Sequence, residues 1–488
     1  MELRIASIPR ARARRVRIRA VEQVRAGVVV GSAVVAYALL VAAAAFVTYR
    51  AYQLPRLDLG DMVQAVWSSA HGHLLETTTA TGLESSRLGS HVDPFLVLLV
   101  PFWWIWPSPL FLLLLQVAAV SAGALPVYWL ARKHTGSGRS GAHFALAYLL
   151  YPATQFNALT VTAGVHAVSF AVPLILFAVW YLDNDRITPF AVCALLAAST
   201  KEEIGAAVAC LGLWHAVRRR RWGVGLTTFA AGMALSLVEV LVVIPHFSPS
   251  GESPFAGRYA AIGGTPGGVA HTLVTNPGAF VHAVSSGHKA LYLVLVLAPF
   301  LGLWALEPLL LLGAVPDLVI NLLSSKPEQT TVEFQYTAGI VPFVVAAAIF
   351  GAARAGGRRD DLSLLCLVAC GSIALLLSPV RFGLSNLHLA GATNPVRSAK
   401  TRALARVPDG SPVSASNQLG GYLSTRRFIY LYPTLGRARW VIIDRNDPTY
   451  GDRARFRRQI AQLERDPSWT IVYASRGVDV LRRKGAPA

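Results

Sequence analysis

The stretch AGVVVGSAVVAYALLVAAAAFVT, residues 26–48, runs for 23 residues without a charged side chain and stands directly behind the Arg-rich segment RARARRVRIRA, residues 10–20. About 20 apolar residues suffice to cross a bilayer core, and this run is too long for the apolar centre of a signal peptide. It reads as a retained first membrane span. Directly after it, RLDLGDMVQAVW, residues 56–67, places two carboxylates three residues apart, Asp58 and Asp61. Acids set where a membrane protein meets water commonly serve chemistry or ion handling.

The rest of the chain has the same character. Of 488 residues, 54% are hydrophobic and only 15% charged, more apolar surface than one soluble core could bury. Further apolar runs fall at 109–131, 141–158, 165–182, 187–200, 203–217, 223–246, 290–306, 308–323, 337–354 and 361–379. The expectation is a mainly α, polytopic membrane protein of about 11 transmembrane helices, with a small C-terminal α/β domain. Lys and Arg favour the cytoplasmic side of short loops. Alternating the spans then puts the basic residues 1–25, ARKHTGSGR (131–139), VRRRRW (217–222) and RAGGRR (354–359) inside. The first outer loop, 50–93, a second outer loop, 247–289, residues 324–336 and the tail 380–488 fall outside. Residues 26–379 form the expected transmembrane domain.

The tail loses long apolar runs and shows short strand-like pieces, SPVSAS, FIYLYP, WVIID and TIVYAS, around a helical stretch near Asp452 to Glu464. The chain carries 45 Lys and Arg against 26 Asp and Glu, yet no nucleic-acid reader motif is present and the tail is expected outside, so nucleic acid is not an expected partner. Membrane lipid is. The four cysteines sit in predicted spans and read as small apolar packers rather than disulfide partners or metal ligands. Walker, Rossmann and HExxH patterns are absent from the sequence.

Several segments combine chemistry-bearing residues near the outer ends of spans. If Leu57 to Ser68 is a short interfacial helix, Asp58 and Asp61 share one face and could activate a hydroxyl or hold a divalent cation; the alternative is a helix cap and a first-turn acid. HVDP offers His91 and Asp93 for a metal or a phosphate, or Asp93 as a cap with Pro94 at the first helical position. STKEEIGAA interrupts apolar sequence with Lys201, Glu202 and Glu203, which either face a cavity holding phosphate or turn into water. His166 in TAGVHAV, Gln335 and Tyr336 in EFQYTAGIVPF, and Arg258 in the Pro/Gly-rich loop 248–287 complete the candidate binding residues. That loop is long for a connection without structure, a length typical of lids and binding loops. WWIWP (103–107) reads as an aromatic interface anchor.

The segments RLDLGDMVQAVW, GSHVDPFLVLLVPFWWIWPSPLFLLLLQ, YPATQFNALTVTAGVHAVSFAVP, TKEEIGAA and VPDGSPVSASNQLGGYLSTRRFIYLYP resemble a bacterial family of predicted membrane proteins bearing a domain of unknown function. That family is in turn similar to a distant branch of the GT-C, protein mannosyltransferase-like glycosyltransferases. The resemblance runs from the first span to the strand near Trp440. It implies a GT-C-like transmembrane domain in a bacterial plasma membrane, with a polyprenyl-phosphate-linked sugar as donor and an envelope glycan, lipid or protein as acceptor. It gives Asp58 the position of the acidic motif in the first outer loop. The family pattern often has a second acid directly before the Gln, where this chain has Val63, so Asp61 is the candidate substitute. The resulting expectation is a glycosyltransferase with Asp58 as base or metal-holding acid and the tail steering the acceptor. The competing readings are a transporter or flippase that uses the same acids as ion sites, and a catalytically silent scaffold.

Overall fold

The computed structural model describes the backbone of residues 10–485 apart from 80, 161 and 163, and side chains from residue 22 onward. The first nine residues of the basic N-terminus lie outside the described residues. The first helix, Arg10–Arg50, carries the opening apolar run. It packs against the helices Pro109–Ala122, Gly138–Leu150 and Pro379–Ser385.

Among the described residues four helical stretches are long and apolar enough to cross a membrane: Glu22–Arg50, Pro109–Thr135, Trp222–Phe247 and Gly356–Ala390. A fifth results if Gly278–Val284 and Gly287–Phe300, bent by 68° at their junction, act as one span. Three of the four leave only 22% to 28% of their apolar window buried, which is the surface a lipid phase would cover. The chain is a multi-pass membrane protein. The count of about 11 is not fixed by these lengths, because several predicted spans are short helices such as Ile187–Ala198 and Val341–Arg354. A 14-residue helix is only about 21 Å long. Val341–Arg354 is nevertheless the centre of the bundle, with Val344 to Ile349 fully buried on every face.

Close helix contact orients the two ends of the bundle. In the hairpin of Ile204–Arg219 and Trp222–Val238, a side chain at Gly212 would begin 2.4 Å from the Gly225 carbonyl oxygen, and one at Gly232 equally close to that of Gly205. Small residues thus let the backbones touch, as membrane helices commonly do. At one end of this hairpin Asp183 accepts from Lys133 (2.6 Å) and His134 (2.8 Å) and pairs with Arg219 (3.0 Å), while Glu307 pairs with Arg218 and Arg354. Three of the basic clusters predicted to share a side therefore share an end. At the other end lie residues 56–93, 200–203, 248–258 and 326–336. The loop, long for a connection without structure, contains the helices Pro266–Thr275 and Gly278–Val284; Pro266 stands at the first helical position of one, where Thr265 Oγ1 accepts from Gly268 N–H, and Pro277 directly precedes the other.

The segment after the first helix contains a small antiparallel pair, β1 (Glu76–Thr78) and β2 (Glu84–Ser86). The tail forms a five-stranded sheet from β3 (Val413–Ala415), β4 (Ile429–Leu431), β5 (Trp440–Asp444), β6 (Trp469–Ser475) and β7 (Val478–Arg483), in the order β4-β3-β5-β7-β6. The first three strands are parallel; β7 runs antiparallel to both neighbours. Alternation in β5 sends Ile442 to one layer, with Val413 and Leu419, and Val441 and Ile443 to the other. There Phe456, Ile460 and Leu463, one stripe of helix Arg453–Arg465, close the core. Of the strands in this sheet, β7 is absent from the sequence reading: in GVDVLRR the charged Asp479 interrupts the apolar pattern, yet it is bonded to Arg445.

The sheet is fastened to residues 57–78 by buried polar contacts. Gln64 accepts from Thr78 N–H (2.9 Å) and donates to the carbonyls of Arg426 (3.0 Å) and Arg427 (2.8 Å). Asn417 accepts from Leu57 N–H (2.9 Å) and donates to Thr449 (3.1 Å), whose hydroxyl donates to Asp447 (2.6 Å). Gln64→Ala leaves buried groups on both partners unpaired, so a loss of about 1–3 kcal/mol is expected, read as a lowered thermal midpoint and faster proteolysis of the tail. Asn417→Ala frees the Leu57 amide, and its hydrogen exchange is expected to accelerate roughly tenfold, equivalent to about 1.4 kcal/mol, while amides of the helix Val341–Arg354 exchange as before.

Candidate active site

Backbone geometry around Asp58 differs from the interfacial helix expected for Leu57 to Ser68. Leu57 is extended (φ −70°, ψ 140°), Asp58 has φ +73° and ψ −85°, and the regular helix begins only at Asp61. Asp58 and Asp61 therefore do not share a helix face through an i, i+3 relation; Asp61 lies in the first turn of Asp61–Ala70, where its charge suits the helix dipole. A non-glycine residue with positive φ and this ψ costs on the order of 1–3 kcal/mol and persists only where its surroundings over-determine it. The surroundings here are tight. A side chain at Gly60 would begin 2.5 Å from Ser424 Oγ, so the turn is pressed against the segment that carries Asn417.

Arg56, 1% exposed, completes the arrangement. Its guanidinium pairs with Asp61 and donates to the carbonyls of Thr78 and Ile429, joining β1, β4 and the Asp58 turn. Val63, the position where the family pattern often has an acid, is fully buried in the apolar core. Asp61 does reach the cavity described next, but it does so already paired with Arg56.

A cavity of about 570 Å³ opens in front of this turn. It brings together Asp58, Asp61, His91, Asp93, His166, Lys201, Arg258, Gln335 and Tyr336 from five separate segments. Glu202 and Glu203 do not line it; they stand behind it as partners. His91 Nδ1 lies 2.9 Å from Glu202 Oε1, Val92 N–H donates to the other Glu202 oxygen (3.1 Å), and Lys201 pairs with Glu203. Burial raises the Glu202 pKa, but His91 and Lys201 more than reverse that and hold its carboxyl well below the usual range. Lys201 is opposed by burial, yet Glu203 and Glu202 keep it firmly protonated. The STKEEIGAA charges thus meet one another and a cavity rather than open water.

Pro94 takes the first helical position as expected, but Asp93 does not cap that helix; its carboxylate accepts from Arg87 Nε (2.7 Å). His166 is fully buried and its pKa is pushed down to about 3 by burial and by Arg87, Lys201 and His91, so it is neutral. Its Nε2 finds no partner among the described residues.

Two cations escaped the sequence reading, Arg87 and Lys326. Both sit in loops with no motif around them, and only the fold turns them inward. Arg258 stacks on the Phe255 ring at 4.0 Å, and Phe255 in turn stacks on His91 at 4.6 Å. Neither Arg258 nor Lys326 forms an ion pair among the described residues, so both hold uncompensated positive charge at the cavity wall. Burial and Asp61 raise the Asp58 pKa, with Lys326, Arg87 and Arg258 opposing. Among the described residues no three His, Cys, Asp or Glu side chains converge as metal ligands. Apart from Asp58 the acids are matched to Arg, Lys and His, and one free carboxylate is a donor set that does not fit a bound divalent cation.

The comparisons follow the same outline. No curated protein matches the chain. The crystal structure of ArnT from Cupriavidus metallidurans bound to undecaprenyl phosphate shares its fold, with a TM-score of 0.53, 12% identity, and coverage of 92% of this chain and 98% of that one. The apo state of the same protein gives a TM-score of 0.49 at 14% identity. ArnT is a GT-C glycosyltransferase, and at this identity the likeness is one of architecture. Residues 50–480 match the family model described as predicted membrane protein (DUF2079), and the chain belongs to that family.

Proposed function

We propose that the protein is an integral-membrane glycosyltransferase that takes a sugar from a polyprenyl-phosphate donor and passes it to a cell-envelope acceptor, with the loops 50–93 and 247–289 and the tail 380–488 on the outer face. The observation that carries this reading is a strained aspartate, unpaired among the described residues, at the wall of a cavity whose free charges are positive. Backbone strain held at one acid by a buried clamp suggests function. The ArnT structure of similar fold was determined with undecaprenyl phosphate bound, and a phosphate-linked lipid is the ligand class this charge pattern would accept.

Asp58 is the general base in this scheme. It takes the proton of an acceptor hydroxyl as that oxygen bonds to the anomeric carbon of the sugar. The bond from that carbon to the phosphate oxygen breaks, and its electron pair leaves on the phosphate. Arg258 and Lys326 face the charge that develops there, with Lys201 and His91 as fixed neighbours. Neutral His166, Gln335 and Tyr336 hold the sugar by hydrogen bonds and ring contact, and the Arg87–Asp93 pair shapes the floor. Asp61 acts through Arg56, so its part is to hold the turn. The tail likewise holds Asp58 in place through Asn417, a narrower role than steering the acceptor.

Asp58→Asn is expected to lower transfer in proteoliposomes by roughly 100- to 10,000-fold with membrane insertion intact. Full activity in that variant, or substrate flux without covalent change, overturns the proposal. The pH profile supplies a second test. Transfer needs ionised Asp58, whose pKa lies above the ordinary carboxylate value, so the acid limb of kcat/KM is expected above that of an exposed aspartate. Lys326→Gln removes a charge that favours the ionised form, and should move the limb to still higher pH.

A further inference from the structure

A second cavity, of about 470 Å³, lies at the opposite end of the bundle, and all six residues that line it are aromatic or cationic: Trp129, Arg132, Lys133, Trp180, Tyr181 and Arg186. From this composition and its setting we infer that it is a binding site for the headgroup of an anionic phospholipid. The site stands apart from the proposed transfer reaction and does not depend on it.

The helices Ala124–Thr135 and Ala171–Asp183, which pack on one another, build its walls. Each leaves one partly exposed stripe. On the first, Leu125 and Trp129 lead to exposed Arg132, at spacings of four and three. On the second, Leu174 and Phe177 lead to Trp180 and Tyr181. Trp129 joins the stripes, 6.0 Å from the Phe177 ring and 5.6 Å from that of Trp180. The result is an apolar track along two helices that ends in cations, the shape of an acyl chain followed by a phosphate.

The charge balance selects the headgroup. Lys133 is already matched: it donates to the Asp183 carboxylate (2.6 Å) and to Asn184 (2.9 Å), with its ammonium 5.8 Å from the Trp180 ring. Arg132 and Arg186 form no ion pair among the described residues, and Arg186 lies 5.5 Å from the Tyr181 ring. Two free guanidiniums, that of Arg186 over an aromatic face, offer forked donors to one phosphate diester. A choline headgroup would add a further cation to three already present. A soluble phosphate would leave the apolar track unused. Basic pockets between membrane helices recognise anionic lipids in this way.

The test is native mass spectrometry of the full-length protein in detergent, titrated with dioleoylphosphatidylglycerol or dioleoylphosphatidylcholine. Preferential retention of the glycerol lipid is expected, weakened roughly tenfold in Arg132→Gln/Arg186→Gln. The charge-matched pair Arg455→Gln/Arg458→Gln, on the exposed side of the tail helix, should retain the lipid as the unmodified protein does. Both altered arginines of the cavity are exposed, so unchanged thermal midpoints are expected to accompany the loss. Equal retention of the two lipids, undiminished retention in the cavity variant, or the same loss in the control variant overturns the inference. Displacement by millimolar glycerol 3-phosphate would assign the pocket to a free anion and overturn it as well.

Discussion

The buried guanidinium of Arg56 joins parts of the chain that are more than 370 residues apart. It meets Asp61 in its own segment, the Thr78 carbonyl of β1 and the Ile429 carbonyl of β4. A charge taken out of water is tolerated only when paired and hydrogen-bonded, so Arg56 demands that all three partners be in place together. Docking of the tail sheet and the geometry of the Asp58 turn are therefore one event. Gln64 and Asn417 repeat the arrangement on either side, and Gly60 gives the backbone room to approach. Removing the tail would take the Ile429 acceptor from a buried cation and release the contacts of Asn417 and Ser424 that hold the strained turn.

Charge pairing also organises the two ends of the bundle. Asp183 and Glu307 gather the basic clusters at one end, where a low dielectric would otherwise penalise each of them. At the other end, four acid–base pairs surround one cavity: Arg56 with Asp61, Arg87 with Asp93, His91 with Glu202, and Lys201 with Glu203. Once these are matched, the charges left facing the cavity are one carboxylate and two cations. That remainder distinguishes a site that can receive phosphate from one that only closes on itself. It also explains why the acids flagged in STKEEIGAA and HVDP stand in different relations to the cavity, Asp93 at its wall and Glu202 and Glu203 behind it.

Long apolar runs announced the bundle because hydrophobic length is a local property. The stretch 26–48 is a helix in the structure, and the strands at 413–415, 429–431, 440–444 and 469–475 lie where alternating patterns placed them. Strand β7 escaped because its charged residues are satisfied by partners distant in sequence. Asp58 stood out by its position after the first span, but its conformation did not, since positive φ at an aspartate is imposed by packing and not by neighbouring residues. Arg87 and Lys326 carried no local signal at all; isolated basic residues in loops read as solvated until a fold encloses them.

The sequence by itself determined a mainly helical membrane chain, a small mixed domain at its end, and a set of ionisable residues gathered near the ends of spans. These follow from hydrophobicity, periodicity and the cost of placing charge in an apolar medium, all of which act over a few neighbouring residues. Only the tertiary structure decided which charges cancel and which remain, that Asp61 is spoken for by Arg56 while Asp58 is not, and that the tail holds the Asp58 turn. Electrostatic pairing and close backbone contact depend on distances in space between segments far apart in the chain, and no local pattern encodes them.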